Sequence, residues 1–88
     1  MPEREVKIIN KLGIHARPAA EIVKTSGKFK SSITIVRDDL EVNAKSIMGV
    51  MMLAAECGAT IILRAIGDDA EAALDALAAV IANKFGES

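Results

Sequence analysis

The sequence has one cysteine, Cys57, no tryptophan and no tyrosine, and its only aromatic side chains are Phe29 and Phe85. A lone cysteine cannot close an internal disulfide, so the chain is expected to work in a reducing, cytoplasmic compartment. One cysteine and one histidine do not make a zinc site of the usual Cys/His kind, and no metal or other cofactor is expected. Two aromatic rings give no stacking platform for single-stranded nucleic acid. A formal net charge of −1 gives no basic footprint for a phosphate backbone. Direct nucleic-acid binding is therefore not expected. No apolar run approaches the roughly 20 residues of a membrane helix, and the charged run Met1-Pro2-Glu3-Arg4-Glu5 does not read as a signal segment. Membrane insertion is not expected. There is no Walker A loop and no GxGxxG, and there are no repeats or linkers.

What is present is globular: 51% of the 88 residues are hydrophobic and 26% are charged. Residues 1–88 are expected to form one small domain, and a monomer is expected. A domain of this size buries only about 60–65% of its unfolded surface. It has no room for a deep, lidded active site, so surface chemistry shared with a partner is the natural expectation.

Glu5–Ile9 is partly alternating and β-branched, and reads as a first strand, followed by a loop to His15. Ala16–Ser26 reads as a helix, with Pro18 in its first turn, Ala19, Ile22 and Val23 on one stripe, and Gly27 as C-cap. Ser32–Val36 and Leu40–Val42 read as strands joined by a turn at Asp38-Asp39. Ser46 is a good N-cap for a helix running to about Glu56 and ended by Gly58. Thr60–Ile66 reads as a strand whose Ile61-Ile62-Leu63 run suits a central position. Asp68 or Asp69 would cap a last helix, Asp68 with Glu71 having capping-box spacing, and apolar residues recur from Ala70 to Phe85. The alanines Ala72, Ala73, Ala76, Ala78 and Ala79 would let that helix lie close to a sheet. The order is βαββαβα, an α+β fold with helices on one face of a mainly antiparallel four-stranded sheet.

The acid pairs Asp38-Asp39 and Asp68-Asp69 read best as solvated turn formers. Gly13-Ile14-His15-Ala16-Arg17-Pro18 is different. His15 precedes a helix start, where backbone N–H groups without helical acceptors and the helix dipole attract an anion. Arg17 can fork onto phosphate oxygens. A neutral imidazole is a nucleophile, and the positive surroundings would stabilise a phosphoryl group placed on it. On local grounds a cap-like loop histidine is the commoner reading of His15, as a solvated surface charge is of Arg17. Ser46 is explained as a cap, yet a phosphate there would also meet a helix N-terminus. In Ile47–Leu53, Val50 and Leu53 share one face while Met48, Met51 and Met52 share another. That methionine face is either gap-filling core or a docking surface.

Two segments carry a resemblance. Asn10–Ala20 resembles the active-site signature of the HPr family, the histidine-containing phosphocarriers of the bacterial phosphoenolpyruvate-dependent phosphotransferase system. Lys45-Ser46-Ile47-Met48-Gly49-Val50-Met51 resembles that family's regulatory serine region, and the likeness runs from about Val6 to Phe85. The resemblance implies an open-faced β-sandwich. It implies that His15 accepts phosphate on Nδ1 from phosphorylated enzyme I and donates it to IIA-type proteins of sugar transport, with Arg17 steadying the group. Ser46 would be the target of an HPr kinase/phosphorylase, and Ile47, Met48 and Met51 would form a partner-binding face. Many members carry Ser-Leu-Gly where this chain reads Met52-Leu53-Ala54; alanine in place of glycine is expected to leave a more regular backbone. Met52-Leu53 and the acidic, Ala-rich C-terminal half resemble instead the nitrogen-branch paralogue, NPr.

The leading reading is a phosphohistidine carrier, a transfer intermediate rather than a stand-alone enzyme. The alternatives are a nitrogen-branch relay, a binding module regulated at Ser46, and a plain interaction domain in which His15 and Ser46 only cap helices.

Overall fold

The computed structural model describes residues 2–86. Its elements are β1 (Glu3–Lys7), α1 (Ala16–Ser26), β2 (Ser32–Arg37), β3 (Leu40–Asn43), α2 (Ile47–Met52), β4 (Thr60–Ile66) and α3 (Ala70–Ala82), followed by a 3₁₀ turn at Lys84–Gly86. The sheet order is β1-β4-β2-β3, and every pairing is antiparallel. The run Ile61-Ile62-Leu63 therefore lies between two strands, as its apolar character predicts. Alternation along the strands sends Ile33, Ile35, Ile61, Leu63 and Ala65 to one face, where they share a core with Ile22, Val50, Leu74, Leu77 and Ile81 of the helices. The opposite face is open. There Arg64 of β4 bonds Glu3 of β1 at 2.6 Å and Glu41 of β3 at 3.3 Å, bridging the width of the sheet. The architecture is the open-faced α+β sandwich, four strands covered on one side by three helices.

Helix α1 and strand β4 coincide with their predicted spans. Elsewhere tertiary contacts move the ends. The ladder of β1 stops where Lys7 meets Thr60, the first residue of β4, and begins at Glu3 rather than Glu5. Met1, Glu87 and Ser88, which the expected domain of residues 1–88 includes, lie outside the described residues. Ile8 leaves the strand but stays fully buried, exchanging bonds with the turn before β4: its N–H donates to Ala59 O at 2.8 Å and its carbonyl accepts from Gly58 N at 2.7 Å. Helix α2 stops at Met52, not near Glu56, because Leu53 is its C-cap and Ala54 turns left-handed with φ 48°. The expectation of a more regular backbone at Ala54 is thus overturned; alanine adopts there a conformation that favours glycine. Helix α3 ends at Ala82. Lys84 and Phe85 take φ 55° and 57°, which swings the Phe85 ring into the core. Of the α3 alanines, Ala73 is fully buried, whereas Ala72 and Ala79 face outward.

The acid pair before α3 is also corrected. Asp69 occupies the N-cap position, but its carboxylate makes no cap bond, and no capping box forms. Its oxygens instead accept from Lys30 N at 2.8 Å, from Ser31 N at 3.0 Å and from the Ser31 hydroxyl. They tie the entry of β2 to the entry of α3. Ser31's hydroxyl, followed by the Lys30 N–H, holds the Asp69 carboxyl below its ordinary value. A lowered native value means that the stabilisation is complete above the ordinary carboxyl value of 3.8 and is lost as pH falls from there through the native value. Asp69→Asn is expected to lower Tm by about 5 °C at neutral pH. Thermal melts of variant and parent should converge as pH is taken below that range.

Candidate functional site

The loop between β1 and α1 is held by its own polar groups and by the segment that follows α2. Asn10 is fully buried, and its side-chain Nδ2 donates to Gly13 O at 2.7 Å. Gly13 has φ 68°, a left-handed conformation open to glycine at little cost. Ile14 is buried, and its N–H donates to Ala55 O at 2.8 Å. His15 follows as the N-cap residue of α1, extended at φ −104° and ψ −166°. Its carbonyl accepts the first helical bond, from Ala19 N at 2.9 Å, while its imidazole makes no cap bond. The ring is half-buried at the mouth of an 11-residue helix.

Two features of α1 aim positive potential at that mouth. The first-turn N–H groups have no acceptors within the helix, and the aligned peptide dipoles add to them. Pro18 sits third in the helix, where no donor is needed, and is buried against the core. Arg17 is exposed one position before it, and α1's first turn carries no acidic residue to oppose it. Arg17 lines a groove with Glu21, Val80, Asn83, Phe85 and Gly86 between α1 and the end of α3. Such a mouth can hold a tetrahedral anion beside an imidazole. Among the described residues no three His, Cys, Asp or Glu side chains gather as a metal site requires, and no helix is long and apolar enough to cross a membrane.

Ser46 stands where the sequence places it. Its hydroxyl accepts from Gly49 N at 3.1 Å and caps α2. Val50 and Leu53 anchor α2 in the core, and Ile47, Met48, Met51 and Met52 are exposed, Met48 to 78%. The methionines are therefore surface rather than gap-filling core. Leu12, in the His15 loop, is exposed to 72%. The His15 loop is bonded to the chain just beyond α2, whereas Ser46 caps its other end. A six-residue helix, about 9 Å long, separates the two ends.

Two residues of this region are given no role by the sequence reading. Asn10 is one; a polar side chain three residues before a loop glycine is a recognisable turn signal. Arg37 is the other. It shares the parity of Ile33 and Ile35 and so falls on the covered face of β2, which is an unusual position for a cation. Its guanidinium reaches Leu53 O, Ala54 O and Glu56.

Comparison with known proteins places this geometry. Residues 2–83 match the family model described as the PTS HPr component phosphorylation site. The chain is 52% identical to the phosphocarrier protein HPr of Cupriavidus necator, over 99% of this chain and 98% of that protein. It is 44% identical to the phosphocarrier protein NPr of Shewanella violacea, over 98% and 94%. The crystal structure of HPr-C-His from Thermoanaerobacter tengcongensis superimposes with a TM-score of 0.95 at 50% identity, covering 100% of this chain and 99% of that one.

Proposed function

The chain belongs to the PTS HPr family of phosphocarriers, and from that membership we propose that His15 takes a phosphoryl group from phosphorylated enzyme I and hands it to IIA-type proteins. The observation that carries this reading is the placement of the chain's one imidazole at the mouth of α1, with its backbone carbonyl, not its ring, spent on the helix. In the forward step a lone pair on His15 Nδ1, the atom that family membership assigns, attacks phosphorus. A P–N bond forms as the bond from phosphorus to the donor's leaving atom breaks and its electron pair returns to the donor. In the second step a nucleophile of the acceptor attacks the same phosphorus, the P–N bond breaks and its electron pair returns to His15 Nδ1. The first-turn N–H groups and the Arg17 guanidinium neutralise the three phosphoryl oxygens in both steps. The chain supplies one half of each reaction and the partner supplies the other, so it is a transfer intermediate and not a stand-alone enzyme. It needs no cofactor. We place it in the cytoplasm as a monomeric single domain of residues 1–88.

The test is incubation with phosphoenolpyruvate and enzyme I, followed by intact-mass and peptide mapping. One acid-labile phosphoryl group on His15 is the expected result. No label, or label on another residue, overturns the carrier reading. Arg17→Ala is expected to lower the transfer rate from enzyme I about a hundredfold while leaving Tm nearly unchanged, because an exposed guanidinium is removed from the phosphate and not from packing. Stopped-flow transfer and thermal melts check both halves.

The exposed face of Ile47, Met48 and Met51 is the surface on which enzyme I and the IIA acceptors dock, since it lies on the helix beside the His15 loop. Met51→Glu should weaken enzyme I binding by tenfold or more without unfolding; titration calorimetry reads the first and circular dichroism the second. Ser46 is the regulatory site for an HPr kinase/phosphorylase where the host has one. Acid-stable label from ATP that survives Ser46→Ala would exclude it. The match to NPr favours a second reading, a nitrogen-branch relay with the same chemistry. The run Lys45–Val50 favours the sugar branch, and the identity of the IIA proteins that accept phosphate decides between them.

A further inference from the structure

The side chain of Arg37 ends in an unusual set of acceptors. Its Nη1 donates to Leu53 O at 3.1 Å and to Ala54 O at 2.8 Å, and its Nη2 donates to Glu56 Oε1 at 2.7 Å. Leu53 is the C-cap of α2, and Ala54 is left-handed at φ 48°. Two carbonyls that the helix leaves without N–H partners are thus satisfied from β2, and a cation sits at the negative end of the peptide dipoles. The three acceptors lie on residues 53, 54 and 56. They bracket Ala55, whose own carbonyl receives the Ile14 N–H at 2.8 Å. Gly13 lies flush against the same stretch: a Cβ built there would stand 2.4 Å from Ala55 O and 2.8 Å from Glu56 Cα. The seat of the His15 loop is therefore a short irregular segment, with an alanine in a left-handed conformation, whose Leu53 and Ala54 carbonyls and Glu56 carboxylate are all held by one guanidinium.

From this we infer that Arg37 is a positioning residue for phosphoryl transfer, acting through Leu53–Glu56 and Ile14 to hold His15 at the mouth of α1. The inference rests on the reading of His15 as phosphoryl carrier. The side-chain bonds of Arg37 go to Leu53, Ala54 and Glu56, so its effect is on the placement of the nucleophile. An imidazole that wanders by about an ångström loses the alignment that an in-line displacement needs, at a cost that can reach a hundredfold. Lysine cannot replace it fully, because one ammonium cannot span two carbonyls and a carboxylate in a fixed fork. The same ion pair holds the Glu56 carboxyl below its ordinary value, chiefly through the hydrogen bond from Arg37.

The experiment compares wild type with Arg37→Gln, Arg37→Lys and Glu56→Gln in two readouts. One is amide hydrogen exchange at Ile14, with Leu63 of the central strand as the internal reference for global opening. The other is steady-state transfer from phosphorylated enzyme I, resolved into kcat and KM. In Arg37→Gln, Ile14 should exchange about tenfold faster while Leu63 is unchanged, and kcat should fall about tenfold with KM held. Arg37→Lys should recover part of both. Glu56→Gln should lie closer to wild type, since both carbonyl bonds survive. Unchanged Ile14 exchange overturns the inference. So does acceleration of Ile14 and Leu63 by the same factor, which would make Arg37 a general stabiliser, and so does a loosened Ile14 with normal kcat. If wild type takes no phosphoryl group on His15, the carrier reading falls instead, and the exchange readout alone judges whether Arg37 braces the loop.

Discussion

Replacing His15 with alanine is expected to bring labelling by phosphoenolpyruvate and enzyme I down to background, a loss of a thousandfold or more, in a protein that still folds. The chain contains no second histidine to take over. The remaining nitrogen side chains near the mouth of α1 are poor substitutes: the Arg17 guanidinium is cationic and its lone pairs are delocalised, so it can hold a phosphoryl group but not attack one. Folding should survive because the His15 ring makes no cap bond to α1; the helix start is fixed by backbone, through Ala19 N to His15 O at 2.9 Å. Alanine is a poorer N-cap than the best residues, but here there is no side-chain cap to lose, and the expected cost is below about 1 kcal/mol. His15→Gln, which keeps a polar planar side chain, serves as the second variant. Both should melt within a few degrees of wild type and both should stay unlabelled. Acid-labile label at the wild-type level in either would remove His15 from the chemistry.

Much of this arrangement is readable from the sequence where neighbours in the chain decide the structure. The span of α1 follows from Pro18 in its first turn and Gly27 at its end, and the central place of β4 from an apolar run too continuous for an edge. Ser46 caps α2 because a serine before a helix has the N–H donor it accepts from, that of Gly49, within three residues. The reading fails where the deciding partner lies far away in sequence. Asp69 keeps the N-cap position, but its carboxylate goes to Lys30 and Ser31, which stand nearly 40 residues earlier. Helix α2 stops at Met52, and the carbonyls of Leu53 and Ala54 that follow it go to Arg37, which lies on β2. Helix α3 ends at Ala82, and the left-handed Lys84 and Phe85 that follow take the Phe85 ring into the core. The same holds for the site. His15, Arg17 and Ser46 are visible through their positions relative to helix starts, whereas the support beneath His15 is not local. One trace of it was available: an arginine at a core-facing register of β2 has to find acceptors, and the nearest exposed carbonyls belong to a helix end.

That support predicts the second large effect, at Gly13. Gly13→Ala is expected to destabilise the protein by about 3 kcal/mol, lowering Tm by roughly 15 °C, and Gly13→Val by more. Two costs add. At φ 68° any Cβ meets the left-handed penalty of about 1–2 kcal/mol. The second cost is contact: the new Cβ would stand 2.4 Å from Ala55 O and 2.8 Å from Glu56 Cα, both backbone atoms that cannot rotate away. Relief would require the loop to lift, which breaks the 2.8 Å bond from Ile14 N to Ala55 O and unseats His15. Gly58 separates the two terms. It has φ 95°, yet a Cβ there meets nothing within 4 Å, so Gly58→Ala carries the backbone penalty without the contact. Thermal denaturation of the pair should therefore show Gly13→Ala the worse by about 1–2 kcal/mol. At temperatures where both variants remain folded, only Gly13→Ala should slow transfer from enzyme I, because only there does the strain run through the seat of His15. Equal melting losses at the two glycines would mean that the loop is not pressed against Ala55 and Glu56, and the placement of His15 would then have to come from α1 alone.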